Sequence, residues 1–121
     1  MNHVEKGHYY EQEAADYLIS CGYRILEMNY RGRHGEIDLI AMDGEYLVFV
    51  EVTYRTSDKL QAPSEAVDRK KQRHISMTAR QYMSSHRVSQ EQLCRFDVVA
   101  FVQNQPTLYK NSFEYQETKG W

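Results

Sequence analysis

The stretch Gly35-Glu36-Ile37-Asp38-Leu39-Ile40-Ala41-Met42-Asp43-Gly44-Glu45-Tyr46-Leu47-Val48-Phe49-Val50-Glu51-Val52-Thr53-Tyr54-Arg55 decides the fold. Two runs rich in β-branched and aliphatic residues, Glu36 to Met42 and Tyr46 to Thr53, flank Asp43-Gly44. That dipeptide tolerates positive φ at both centres of a two-residue type I′ turn, so a β-hairpin is expected. With Asp43-Gly44 as the loop, Met42 pairs with Glu45, Asp38 with Phe49 and Glu36 with Glu51. Strand side chains alternate, so Glu36, Asp38 and Glu51 then project from one side.

The rest of the hairpin is apolar on both faces, with Ile37, Leu39, Ala41, Val48 and Val50 on one and Ile40, Leu47 and Phe49 on the other. Such a pair belongs in the interior of a sheet covered on both sides. Like charges opposed there repel, and burying them uncompensated is costly. Either the strand ends open into solvent, or a cation or a proton offsets the charge. A cation suited to carboxylates, a carbonyl and water is Mg²⁺ or Mn²⁺.

Working outward, Tyr10, Ala14, Tyr17, Leu18 and Cys21 form an apolar stripe at helical spacing, so a helix runs from Val4 or Gly7 to Ser20 and closes at Gly22. Glu11 flanks that stripe, as a boundary residue or as a ligand. Tyr23 to Met28 reads as a first strand, and Asn29 to Gly35 as a loop, either a flexible turn or a backbone-binding loop in which Arg31 and Arg33 are candidate nucleic-acid contacts. Past the hairpin, Thr56 to Pro63 reads as a loop. Ser64 is placed to cap a second helix, with Glu65 and Asp68 in its first turn, ending near Met83. Its stripe is Val67, Lys71, Ile75, Thr78, Ala79 and Tyr82, so a lysine occupies an apolar position. Lys71 either snorkels to solvent or aims at the carboxylates. Phe96 to Val102 is a central strand carrying Asp97, Pro106 sits in a turn, and Thr107 to Lys110 forms a short edge strand. A strand–helix–strand crossover is right-handed and parallel, which brings Phe96–Val102 into the hairpin's sheet.

At 121 residues and 41% hydrophobic content, a single domain over residues 1–115 is expected, with 116–121 as a disordered tail. Cys21 and Cys94 lie in apolar stretches without paired spacing and read as buried free thiols of a cytoplasmic protein. No apolar run approaches the roughly 20 residues of a membrane span, and no leader is apparent. Net charge is only −2, but residues 1–54 hold 4 basic and 10 acidic side chains and residues 55–87 hold 8 and 3. An acidic hairpin beside a basic helix bearing Arg69, Lys70 and Arg73 suits a phosphate-bearing partner, although a charged helix face is often merely solvated. Charge alone leaves the kind of phosphate-bearing partner open, and a homodimer stays open.

Gly7 and Glu11 on the first helix, Gly35-Glu36-Ile37-Asp38-Leu39-Ile40, Phe49-Val50-Glu51-Val52-Thr53-Tyr54-Arg55, Ala66-Val67 with Lys71, and Arg95-Phe96-Asp97-Val98-Val99-Ala100-Phe101 resemble a bacterial family of YraN-like proteins. That family is similar to the PD-(D/E)XK nucleases, near the Holliday-junction resolvases. The resemblance implies a restriction-endonuclease-like αβββαβ core, an α/β fold with a mixed sheet covered by helices on both faces. It implies a metal-dependent endonuclease acting on branched or structured DNA, with Asp38, Glu51 and the Val52 carbonyl holding Mg²⁺ and Glu11 as the helix carboxylate.

One position departs from the pattern. The lysine expected two residues after Glu51 is Thr53, which can hydrogen-bond a water but carries no charge. Losing one preorganised electrostatic interaction costs about 10²–10³ in rate. Arg55, on the same strand face, and Lys71, on the helix, are the candidate replacements; the alternative is a weakened or inactive domain that only binds.

Overall fold

The computed structural model describes residues 1–55 and 67–117. Helix α1 (His3–Ser20) leads into an antiparallel meander of β1 (Arg24–Arg31), β2 (Glu36–Asp43) and β3 (Tyr46–Arg55). Helix α2 (Arg69–Ser85) then crosses to β4 (Cys94–Val102), and β5 (Gln105–Tyr109) closes the chain. The five strands lie in sequence order, with β3 and β4 parallel and every other pair antiparallel. This is the expected α/β architecture with a mixed sheet.

The helices cover opposite faces. Ala14, Ala15 and Leu18 of α1 pack on Leu39, Ala41, Val48, Val50, Val99 and Phe101. Ile75, Ala79 and Tyr82 of α2 pack on Ile37, Ile40, Leu47, Phe49, Phe96, Val98 and Ala100. Burying both faces of β2, β3 and β4 explains their nearly continuous apolar runs. Asn2 caps α1 through its side chain, accepting from the Glu5 N–H at 2.9 Å. Asp68 caps α2, accepting from the Lys71 N–H at 2.8 Å. The cap is therefore Asp68; the loop read at Thr56 to Pro63, the cap read at Ser64 and the first-turn Glu65 lie outside the described residues, as do 118–121 of the tail.

Several local expectations are corrected. The turn is centred on Gly44-Glu45, with Asp43 paired to Tyr46 and Gly44 at φ 59. Glu45 has no positive φ, so Gly occupies the first central position as in a type II′ turn. Asp43 stays in the strand because the Arg95 guanidinium holds it at 2.7 Å and the Lys110 ammonium at 3.2 Å. The shift alone keeps each side chain's face, because it moves the partner by two residues, but Ile37, expected beside Leu39 and Ala41, packs instead with Ile40 on the α2 side. It also moves Asp38 one step beyond the Leu39–Val50 pair, toward Glu51 rather than Phe49.

Strand β1 runs on through Asn29, Tyr30 and Arg31, read from the sequence as loop, because Asn29 accepts φ 54 within the strand. Pro106 lies inside β5, on the sheet edge where its missing N–H costs nothing; the turn before it is Gln103-Asn104, at φ 51 and 63. Gln116, placed in the tail, donates its N–H to Ser76 Oγ at 3.0 Å. Both cysteines are exposed, Cys21 capping α1 and Cys94 opening β4, so neither is a core thiol.

Asp97 is fully buried and fully partnered. Arg95 reaches both its oxygens at 2.9 Å, the Tyr23 hydroxyl donates at 2.7 Å, and the Asn111 N–H donates at 2.9 Å. This network ties α1's exit to β4 and holds Asp43 through Arg95. Tyr23→Phe removes one donor from a buried carboxylate, and a loss of about 1–2 kcal/mol is expected in chemical denaturation. No change would mean that Arg95 and Asn111 alone satisfy Asp97.

Candidate metal and phosphodiester site

The carboxylates gather where β2 and β3 part. Their ladder ends at Leu39–Val50, and past it the Val52 N–H donates at 2.8 Å to the Asp38 side chain instead of to a strand carbonyl. The same level is irregular in β1. Met28 packs toward α1 and Tyr30 toward α2, as do their partners Leu39 and Ile37. Residues two apart on a regular strand share a face, so both strands turn over at Asn29 and Asp38. The turnover places the Asp38 carboxyl between the helices, reached by Glu11 from α1 and by Lys71 from α2.

Glu11, Glu36 and Asp38 each bring an oxygen within 4.8 Å of the others. Glu11 is 9% exposed, and its Oε1 has no hydrogen-bond partner. Glu51, buried, lies on the far side of Asp38, with the Lys71 ammonium 3.0 Å from its Oε2. Glu36 pairs at 3.3 Å with the exposed Arg31. Two mouths open on this cluster. A cavity of about 260 Å³ on the α2 side meets Glu36, Asp38, Glu51, Lys71 and His74. One of about 480 Å³ on the α1 side meets His8, Glu11, Asn29, Glu36 and Tyr54.

Burial, reinforced by the charge of Asp38, pushes the Glu11 pKa up from 4.5 to about 7. Burial, and then the hydrogen bond and charge of Glu51, hold Asp38 well above the usual carboxylate range, against the Val52 N–H and Lys71. Burial alone would lower the Lys71 pKa, but attraction to Glu51 and then Asp38 outweighs it, so the ammonium keeps its charge. Without a cation, then, the cluster relieves its repulsion by retaining protons. A native Glu11 that binds its proton more tightly than the unfolded chain makes stability fall as pH rises through about 4.5 to 7. Asp43, lowered first by its hydrogen bond to Arg95, acts in the opposite sense, but only as pH falls toward and below its ordinary 3.8. In chelator, the thermal midpoint is therefore expected to drop between pH 5 and 7, and Glu11→Gln to remove much of that drop. An identical slope in the variant would place the titration elsewhere.

Convergent carboxylate oxygens, one of them buried without a partner, fit a hard divalent cation. Of the residues singled out in the sequence, Glu11, Asp38, Glu51 and Lys71 come together. Val52 meets Asp38 through its N–H. The Thr53 Oγ1 is buried without a hydrogen-bond partner. Arg55 ends β3, four residues and roughly 13 Å along the strand from Glu51. Arg69 and Lys70 are exposed on the first turn of α2, and Arg73 is half-buried one turn on. Glu36 joins the cluster although the sequence placed it opposite Glu51; its signal was its alternation with Asp38. His74, at the mouth, gave no signal beyond its place one turn after Lys71.

A family model for the uncharacterised protein family UPF0102 matches residues 10–101, from the residue before Glu11 to one short of the end of β4. The chain belongs to the uncharacterised protein family UPF0102. It is 46% identical over 114 residues to a UPF0102 protein of Lachnoclostridium phytofermentans, covering 94% of this chain and 97% of that one. A UPF0102 protein of Aeromonas hydrophila is 44% identical over 109 residues, 89% of this chain and 84% of its own. One from Syntrophus aciditrophicus is 53% identical over 90 residues, 74% and 70%. The UPF0102 match spans every element that brings a carboxylate to the cluster. No helix among the described residues is long and apolar enough to cross a membrane.

Proposed function

We propose that this UPF0102 protein is a Mg²⁺- or Mn²⁺-dependent endonuclease that cleaves phosphodiesters in DNA, with branched or structured DNA as the preferred substrate. The observation that carries the reading is the convergence of Glu11, Glu36, Asp38 and Glu51 at a strand parting with the Lys71 ammonium beside them. Glu11, Glu36 and Asp38 present the hard oxygens, and Glu51 and the Val52 carbonyl complete the ligand set by position. A divalent cation held there polarises a phosphate oxygen and acidifies a water.

Lys71 supplies the positive charge that Thr53 lacks. Its ammonium, 3.0 Å from Glu51, comes from α2 instead of β3, and in this reading it stabilises the charge that builds on a phosphorane. The Thr53 hydroxyl can orient a water. Arg69 and Lys70, on the exposed first turn of α2, are the phosphate contacts nearest this mouth. The test is cleavage of junction, flapped and linear DNA in Mg²⁺ and Mn²⁺, against the same reactions in chelator. Metal-dependent products from a branched substrate are expected; their absence on every substrate would favour a second reading.

That reading is a DNA-binding module with the same architecture and no cleavage. Its support is Thr53, an uncharged residue at the position where the nucleases this chain resembles carry lysine. Salt-sensitive DNA binding without products would identify it.

A further inference from the structure

The β1–β2 connection is clamped onto α2. The Gly32 N–H donates to the Gly35 carbonyl at 2.8 Å, and the Arg33 N–H donates to Gln81 Oε1 at 2.9 Å. A Cβ at Gly32 would stand 2.6 Å from that same Gln81 oxygen and 3.1 Å from Thr78. A side chain there would have to displace the Gln81 amide that clamps Arg33, so glycine at this position leaves the clamp in place. The loop and the C-terminal half of α2 enclose a cleft of about 460 Å³, met by Arg33, His34, Met77, Arg80, Gln81, Ser84 and Ser85. No acidic side chain among the described residues lines it.

The charges in this cleft differ from those at the carboxylates. Arg31, Lys71, Arg95 and Lys110 are each ion-paired. Arg33 and Arg80 are exposed, and neither has an ion pair among the described residues. Two unneutralised guanidiniums, with hydroxyl and amide groups between them, match the oxygens of a phosphodiester. The loop links this cleft to the reaction mouth, since Arg33 and His34 line the cleft and Gly35 and Glu36 line the mouth. Along α2 the two walls are centred about eight residues, or roughly 12 Å, apart. That separation is longer than the step between neighbouring phosphates, so a strand seated in both places meets them with different phosphates.

We propose that the cleft between the β1–β2 loop and the C-terminal half of α2 binds a backbone phosphate of nucleic acid other than the one at the carboxylate mouth. The proposal rests on the nucleic-acid reading above but not on cleavage. It makes Arg33 and Arg80 the anchor of the strand, independent of bound metal.

The test is binding of a short fluorescein-labelled DNA duplex in chelator, followed by anisotropy across a salt series. Each phosphate contact contributes a log–log slope near −0.9 on duplex DNA. Arg33→Gln with Arg80→Gln should flatten the slope by about two units and leave a calorimetric Mn²⁺ titration unchanged. The Arg33 backbone, not its side chain, makes the clamp, so the fold should survive the replacement. Asp38→Asn should keep the full slope while losing Mn²⁺. An unchanged slope in the double variant, or no DNA binding by the native chain, would overturn the proposal. So would inorganic phosphate or a mononucleotide displacing the duplex at low concentration in an Arg33- and Arg80-dependent way, since the cleft would then serve a small free phosphate. A phosphoserine peptide binding with the same residue dependence would overturn it too. DNA bound through the cleft but never cut would sink the nuclease reading and leave this one standing.

Discussion

Lys71→Met is expected to lower the proposed metal-dependent DNA cleavage by about 10²–10³-fold, the usual cost of losing one preorganised electrostatic group. Methionine keeps the length and apolar stem of lysine and removes only the charge. Lys71 sits 3.0 Å from Glu51 and is drawn there strongly enough that its pKa rises despite burial. The loss should fall on kcat more than on KM, because the charge it stabilises is larger in the transition state than in the bound substrate. Thr53 supplies the control. It lies two residues after Glu51 on the same strand face, so a lysine there reaches the same oxygens. Thr53→Lys should change little in the native chain, where Lys71 already fills the role, and should restore part of the activity of Lys71→Met. A Lys71→Met enzyme with native kcat would mean that the cation comes from elsewhere, with Arg55 the next residue to replace.

Asp38→Asn is expected to abolish the proposed divalent-metal binding while leaving the metal-free fold at least as stable as the native one. The amide oxygen can still accept the Val52 N–H that Asp38 holds at 2.8 Å. What disappears is a carboxyl whose pKa burial and then Glu51 drive upward, which is an unfavourable interaction in the absence of a cation. In chelator near neutral pH, the denaturation midpoint should therefore stay level or rise. A large fall would make Asp38 a structural anchor like Asp97, whose oxygens are all occupied by protein donors. The contrast between these two aspartates is the physical basis of the metal reading. One is saturated by the chain, and the other stands among carboxylates that the chain leaves short of donors.

Periodicity made most of the architecture legible. The α1 and α2 stripes and the two-faced apolar runs of β2, β3 and β4 are local patterns, and each element formed where its pattern lay. Lys71 was legible because it interrupts an apolar stripe, a conflict that a functional contact resolves. The details lost were those decided by distant partners. Asp43-Gly44 is a good turn dipeptide, yet Arg95, far along the chain, holds Asp43 in its strand and moves the turn by one residue. Asn29 reads as the start of a loop because a run with two glycines and two arginines follows it, whereas its left-handed φ here turns a strand over. Cys21 and Cys94 sit in apolar patterns but at element ends, where the pattern no longer implies burial. Arg33 was legible as a nucleic-acid contact, but its pairing with Arg80 was not, because it depends on the loop folding back onto α2 through the Arg33–Gln81 clamp.

The central claim is that Glu11, Glu36, Asp38 and Glu51 form a divalent-metal site. A calorimetric titration of the native chain with Mn²⁺ near neutral pH, beside Asp38→Asn and Glu11→Gln, tests it most directly. Because Glu11 and Asp38 keep protons in the metal-free protein, binding should release protons and tighten as pH rises from 6 to 8. The expected result is saturable Mn²⁺ binding by the native chain, weakened in Glu11→Gln and absent in Asp38→Asn. No binding by the native chain, or equal binding by Asp38→Asn, would contradict the account.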